Sequence, residues 1–198
     1  MSVEIELAEA DTTGDKFANE KRPGHAKFTD ITVKRKFSAD KKYKFRILQA
    51  VEDVNEKQKL RLLTRVEKRY GSNLKGKTFA VWGLAFKPRT DDMREAPAVP
   101  IIKGLVARGA RVRAFDPEAF GVAKQIFKKS ITYARSAYDA LKGADALLVV
   151  TEWNEFREPD FKKMKRVMKA PVVFDGRNIY DPQQIRGFGF TYSSIGRP

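Results

Sequence analysis

The chain has 198 residues, 42% of them hydrophobic, and a net charge of +15; that is enough sequence for one α/β domain with a core plus something more, and a bias toward an anionic partner whose class the sign alone does not choose. It contains no cysteine, which excludes disulfides, thiolate zinc sites and a cysteine nucleophile within these residues. No stretch approaches the ~18 apolar residues of a membrane span, and no basic start runs into an apolar segment, so the expectation is a soluble cytoplasmic protein without a membrane partner.

Residues 1–42 alternate polar and apolar in "SVEIELAE" and in "AKFTDITVKRKF", with "KRPGHA" between them. That is the pattern of an antiparallel hairpin, which needs something to pack on. The lone His25 sits in its turn and reads as structural. From about Tyr43 the period lengthens: Leu48, Val51, Val54, Gln58, Leu62, Val66 and Tyr70 recur at three- and four-residue steps, and Gly71 stands at a C-cap position. This predicts a helix of roughly 25 residues whose apolar stripe faces a core or a partner helix.

From Lys75 strands and helices alternate. The segments "KTFAVWGLAF", "ARVRAFDP", "DALLVVTEW" and "PVVFDGRN" read as strands, with "FTYSSIG" as an edge strand. Helices fall on "APAVPIIKGLVARG", "SAYDALKGA" and "EPDFKKMKRVMKA". Continuous apolar strands between amphipathic helices predict a Rossmann-like parallel sheet with helices on both faces. The fold class is therefore α/β, with domains at 1–42 (hairpin segment), 43–72 (long helix) and 73–198 (sheet domain).

Such sheets bind ligands beyond the carboxyl ends of their strands. Three loops leave those ends, "GLAFKPRTDD", "TEWNEF" and "FDGRN". Asp91 and Asp92 read as N-terminal caps of the next helix. Lys87, Arg89 and Arg94 are then either a solvated cluster or a cation group beside a helix start, whose conflict with the dipole a bound anion would relieve. Asp175, Gly176 and Arg177 fit a plain turn, or else Arg177 offers a planar fork to a phosphate or sugar hydroxyl. Lys162, Lys163, Lys165, Arg166 and Lys169 read as the wet face of a helix whose core face is Phe161, Met164, Val167 and Met168.

From about Phe45 onward the chain resembles the C-terminal part of the UDP-glucose/GDP-mannose dehydrogenase family. The resemblance runs through "AVEDVNEKQK", "GKTFAVWGLAFKPRTDDMREAP", "AFDPEA", "YDALKGADALLVVTEW" and "FDGRNIYD". It implies that Phe86 and Lys87 contact UDP-glucose, that Arg177 reaches the same substrate, and that Arg94 touches NAD held mainly by another Rossmann domain. It also implies that the 43–72 helix builds a homodimer. The family reaction is NAD-dependent oxidation of UDP-glucose to UDP-glucuronate through a thiol adduct. This chain departs from the pattern: it shows no G-x-G-x-x-G and no cysteine, so by itself it is expected not to run that reaction, and no catalytic residue is assigned.

Residues 1–42 do not resemble the family's NAD domain. Their "RPGHAKFTDITVKRKFSADKK" is similar to the strand pair of phage tail-tube and type VI secretion tube proteins, which implies the alternative of an assembly protein whose hairpin adds to a neighbour's sheet. Nonspecific nucleic-acid binding would follow from charge alone, and no aromatic-plus-basic groove supports it.

Overall fold

The computed structural model of the protein describes residues 46–197, all within one compact unit. The expected hairpin, His25 and the tail-tube resemblance of residues 1–42 lie outside the described residues. Helix α1, Arg46–Tyr70, spans 25 residues. It stops where Gly71 takes φ +82° and donates its N–H to the Glu67 carbonyl at 2.8 Å, a left-handed conformation that only glycine adopts without penalty. Lys68 and Arg69 occupy its last turn, where the helix dipole favours cations.

The chain then forms β1 (Thr78–Trp82), α2 (Ala98–Ala107), β2 (Arg111–Phe115), α3 (Phe120–Phe127), β3 (Thr132–Tyr133), α4 (Ala137–Leu141) and β4 (Ala146–Val149). A 3-10 turn (Asn154–Phe156), α5 (Phe161–Val167), β5 (Val172–Asp175), α6 (Pro182–Gly187) and β6 (Thr191–Ser194) complete it. One 6-stranded sheet runs in the order β3-β2-β1-β4-β5-β6, with every neighbouring pair parallel. The chain starts in the middle of the sheet and winds outward twice, so the order reverses between β1 and β4. A crevice at such a switch point opens at the carboxyl ends of those strands.

Every residue of β1, β4 and β5 is buried, because these strands are covered on both faces; their sequences are accordingly apolar without alternation. Phe79, Val81, Leu148 and Phe174 pack with Leu62, Leu63, Val66, Ile101 and Leu105 in one layer. Ala80, Trp82, Leu147, Val149 and Val173 pack with Leu141, Phe156, Phe161 and Met164 in the other. Helix α1 is thus part of the domain, but only through its second half. Leu62, Leu63 and Val66 are 3%, 5% and 0% exposed, whereas Leu48, Val51 and Val54 on the same stripe are 64%, 52% and 63% exposed. The cations of α5 lie on the exposed face, as its spacing predicts.

The start of α2 differs from expectation. Its N-cap is Pro97, with no side-chain cap, so Asp91 and Asp92 do not cap it. Asp92 instead accepts the Arg94 N–H at 2.9 Å, closing a local turn of the kind aspartate makes two residues back from a donor. The cations therefore precede a turn and not the first turn of α2, and the expected conflict with the dipole does not arise. Helix α3, strand β3 and helix α6 are additional to the expected alternation. Among the described residues no helix is long and apolar enough to cross a membrane.

Candidate functional site at the carboxyl ends of the strands

Strand β1 leads into its loop at Gly83, which has φ +89°. A Cβ there would lie 2.4 Å from Thr151 Cβ and 2.6 Å from Thr151 N, so glycine is required both for conformation and for the approach of the two loops. Thr151 closes that contact by donating its hydroxyl to the Ala85 carbonyl at 2.6 Å. The base of the loop is anchored by Asp116 at the end of β2. Its Oδ2 accepts the N–H groups of Leu84 and Ala85 at 2.7 and 3.1 Å and Trp153 Nε1 at 3.1 Å. Its Oδ1 accepts those of Glu118 and Ala119 at 2.9 and 2.8 Å. Asp116 is fully buried, and a buried carboxylate is tolerable only when donors replace its water in this way.

With its base fixed, the loop turns back through Phe86 N–H donating to the Asp92 carbonyl at 2.8 Å. Its tip presents Phe86, 50% exposed, and the exposed Lys87. Lys87 forms no hydrogen bond or ion pair among the described residues; its charge acts at a distance on Asp92.

The loop after β5 is built on a second buried carboxylate. Asp175 accepts the N–H groups of Arg177, Ile179 and Tyr180 at 2.8, 2.8 and 3.3 Å and the Tyr192 hydroxyl at 2.8 Å. Burial first, and then the Asp175 charge, push the Tyr180 and Tyr192 hydroxyls well above their ordinary range, so both stay protonated. Gly176 donates to the Val149 carbonyl at 2.8 Å, and a Cβ on it would come within 3.0 Å of that oxygen. Arg177 then meets Glu152 from the β4 loop: Nη2 donates to Oε1 at 2.7 Å and Nε to Oε2. The Arg177 guanidinium holds the Glu152 carboxyl below its ordinary range, against the opposing effect of burial.

Arg94 belongs to a different place. It is 90% exposed and pairs with Asp92 through Nε and Nη2, the latter at 2.7 Å. Arg94's side chain and N–H hold the Asp92 carboxyl down to about 2. The pair rims a groove of about 540 Å³ between residues 90–94 and the α3 side chains Val122 and Ile126. Lys59 of α1 reaches the same loop, pairing with Glu95 and, at 2.6 Å, with Glu56.

The three loops expected to form a site are therefore tied in series, Ala85 to Thr151 and Glu152 to Arg177. Phe86 and Lys87 stand on the first loop and Arg177 on the third, while Arg94 lines its own groove. For residues 175–177 both sequence readings describe a part: Asp175 makes the turn, and Arg177 offers a fork, already faced by Glu152. The sequence reading does not find the anchoring roles of Asp116 and Glu152; the signals are an Asp-Pro directly after β2 and a carboxylate three residues past the end of β4.

A family model described as the UDP-glucose/GDP-mannose dehydrogenase family, UDP binding domain, matches residues 80–182. UDP-glucose 6-dehydrogenase of Pseudomonas aeruginosa is 44% identical over 161 residues, covering 79% of this chain and 36% of that protein. UDP-glucose 6-dehydrogenase TuaD of Bacillus subtilis is 39% identical over 169 residues, covering 85% of this chain and again 36% of the relative. This chain thus spans little more than a third of the length of either. Among solved structures, a UDP-glucose dehydrogenase from Pyrobaculum islandicum superposes with a TM-score of 0.62 at 32% identity, over 76% of this chain and 32% of the other. With the fold, the matched segment and these relatives in agreement, the chain belongs to the UDP-glucose/GDP-mannose dehydrogenase family and carries its UDP-binding domain.

Proposed function

We propose that this chain binds UDP-glucose at the carboxyl ends of β1, β4 and β5, as the substrate-gripping part of an NAD-dependent UDP-glucose 6-dehydrogenase that forms UDP-glucuronate. The observation that carries this reading is the β1 loop: its base is locked by Asp116 while Phe86 and Lys87 project into solvent, and Lys87 has no hydrogen bond or ion pair among the described residues. An apolar ring beside a free ammonium on an immobile backbone suits a nucleotide diphosphate, since little ordering remains to be done on binding. Arg177 supplies the second contact.

NAD, when bound, supplies the hydride acceptor. The residues present fit only a margin of its site. In a dinucleotide-binding sheet an acidic residue near the end of the second strand takes the ribose hydroxyl, but both oxygens of Asp116 are occupied by protein donors. Arg94, exposed at its groove, is the one residue we assign to the cofactor, with the remainder held by another domain. No cysteine occurs in the 198 residues, so a thiol step would belong to residues outside them. We further propose a homodimer through the 43–72 helix, supported by the exposed Leu48, Val51 and Val54; Val51→Ser with Val54→Ser should shift sedimentation from dimer to monomer.

The test of the binding reading is titration calorimetry with UDP-glucose. Lys87→Ala and Arg177→Ala should each weaken binding about tenfold, the effect of losing one hydrogen bond made by a charged side chain. Unchanged affinity in both variants would refute it.

A further inference from the structure

Arg177 does not stand in the site as a bare cation. Glu152 closes one edge of its guanidinium through Nη2 and Nε, while Nη1 has no hydrogen bond among the described residues. The pair is partly exposed, with side chains 34% and 25% accessible. Its backbone is also fixed: the Arg177 N–H is held by Asp175, and Gly176 is bonded to Val149 at the end of the strand from which Glu152 emerges.

A bidentate pair carries no net charge. A phosphate is therefore drawn to it less strongly than to a lone guanidinium, because the Glu152 charge opposes that of Arg177. A neutral oxygen meets no such opposition and finds a rigid N–H donor already aimed. Lys87 is the opposite case, an exposed ammonium that forms no ion pair among the described residues.

Building on the reading of this site as one for a nucleotide sugar, we propose that Glu152 is a positioning residue that neutralises and aims Arg177, so that Nη1 donates to a neutral oxygen of the ligand, a hydroxyl or base carbonyl, and the diphosphate is left to Lys87. A structural ion pair without ligand contact would leave the affinity unchanged when both its charges are removed together, and that is the readout.

The full chain is titrated with UDP-glucose at ~50 mM and ~500 mM salt, where screening lengths differ about threefold. Arg177→Ala combined with Glu152→Gln, which removes both charges of the pair and leaves no bare carboxylate, should weaken binding about tenfold relative to the wild type at both concentrations, because a contact to a neutral oxygen is not screened. Lys87→Ala should remove most of the salt dependence of the wild type. Glu152→Gln keeps the shape of the side chain but frees the Arg177 charge, and its binding should become more salt-dependent than the wild type, with an unchanged far-ultraviolet circular dichroism spectrum. A loss in that double variant that vanishes at high salt, or a Glu152→Gln profile matching the wild type, would overturn the assignment while leaving the site intact. A wild-type chain that shows no saturable binding would overturn the site reading itself, and the assignment with it.

Discussion

The β1 and β5 loops use the same device and present different chemistry. In each, a buried aspartate gathers backbone N–H groups, Asp116 for the first and Asp175 for the second. Each loop also uses a glycine at a point where a Cβ would strike the β4 segment, Gly83 against Thr151 and Gly176 against Val149. Beyond these anchors the loops diverge. The first presents Lys87, which forms no ion pair among the described residues, and the second Arg177, with its charge matched by Glu152. The lesson is that two cations at one sheet edge are not interchangeable: what each can recognise depends on whether the protein has already neutralised it.

The shared device can be tested by removing it. Asp116→Ala strands five donors, from Leu84, Ala85, Glu118, Ala119 and Trp153, and should cost about 4 kcal/mol in urea unfolding. Asp175→Ala strands three backbone donors and the Tyr192 hydroxyl, and should cost about 3 kcal/mol. If either variant is as stable as the wild type, the loops are not held by their carboxylates. Gly83→Ala forces a left-handed alanine into Thr151, for a loss of about 2–3 kcal/mol by the same measurement; a neutral result would mean that the β1 and β4 loops are free to separate.

The difference between the loops has its own, smaller signature. Glu152 titrates below its ordinary 4.5 because of Arg177. A carboxyl with a depressed folded pKa stabilises fully above its unfolded pKa, and that contribution is lost as pH falls through the folded value. The wild type should therefore exceed Glu152→Gln in stability by about 1 kcal/mol or less above pH ~4.5, and the gap should close on further acidification. A gap independent of pH would show that the pair contributes through shape and not charge.

The parts of this architecture that could be read in the sequence are those that depend on near neighbours. Strands β1, β4 and β5 announce themselves because burial on both faces removes the polar half of the pattern. Helix α1 is marked by its period and by Gly71. The same stripe gave no sign that Leu62 and Val66 would be buried while Leu48 and Val54 stay exposed, since period shows that a face needs cover and not what covers it. Strand β3 is two residues long, too short to carry a pattern. The candidate site was legible as three loops at the carboxyl ends of the strands, with Phe86, Lys87 and Arg177 on two of them. Its wiring was not: Trp153 meets Asp116 across 37 positions and Arg177 meets Glu152 across 25, distances that only the winding of the sheet determines.

The most direct measurement is calorimetric titration of the purified chain with UDP-glucose, with NAD alone in parallel. Saturable binding of UDP-glucose near or below millimolar concentration (about −4 kcal/mol), with little heat from NAD, is the expected result. Well-folded protein that takes up NAD but not UDP-glucose, or neither, would contradict the assignment of the carboxyl-end loops to a nucleotide sugar.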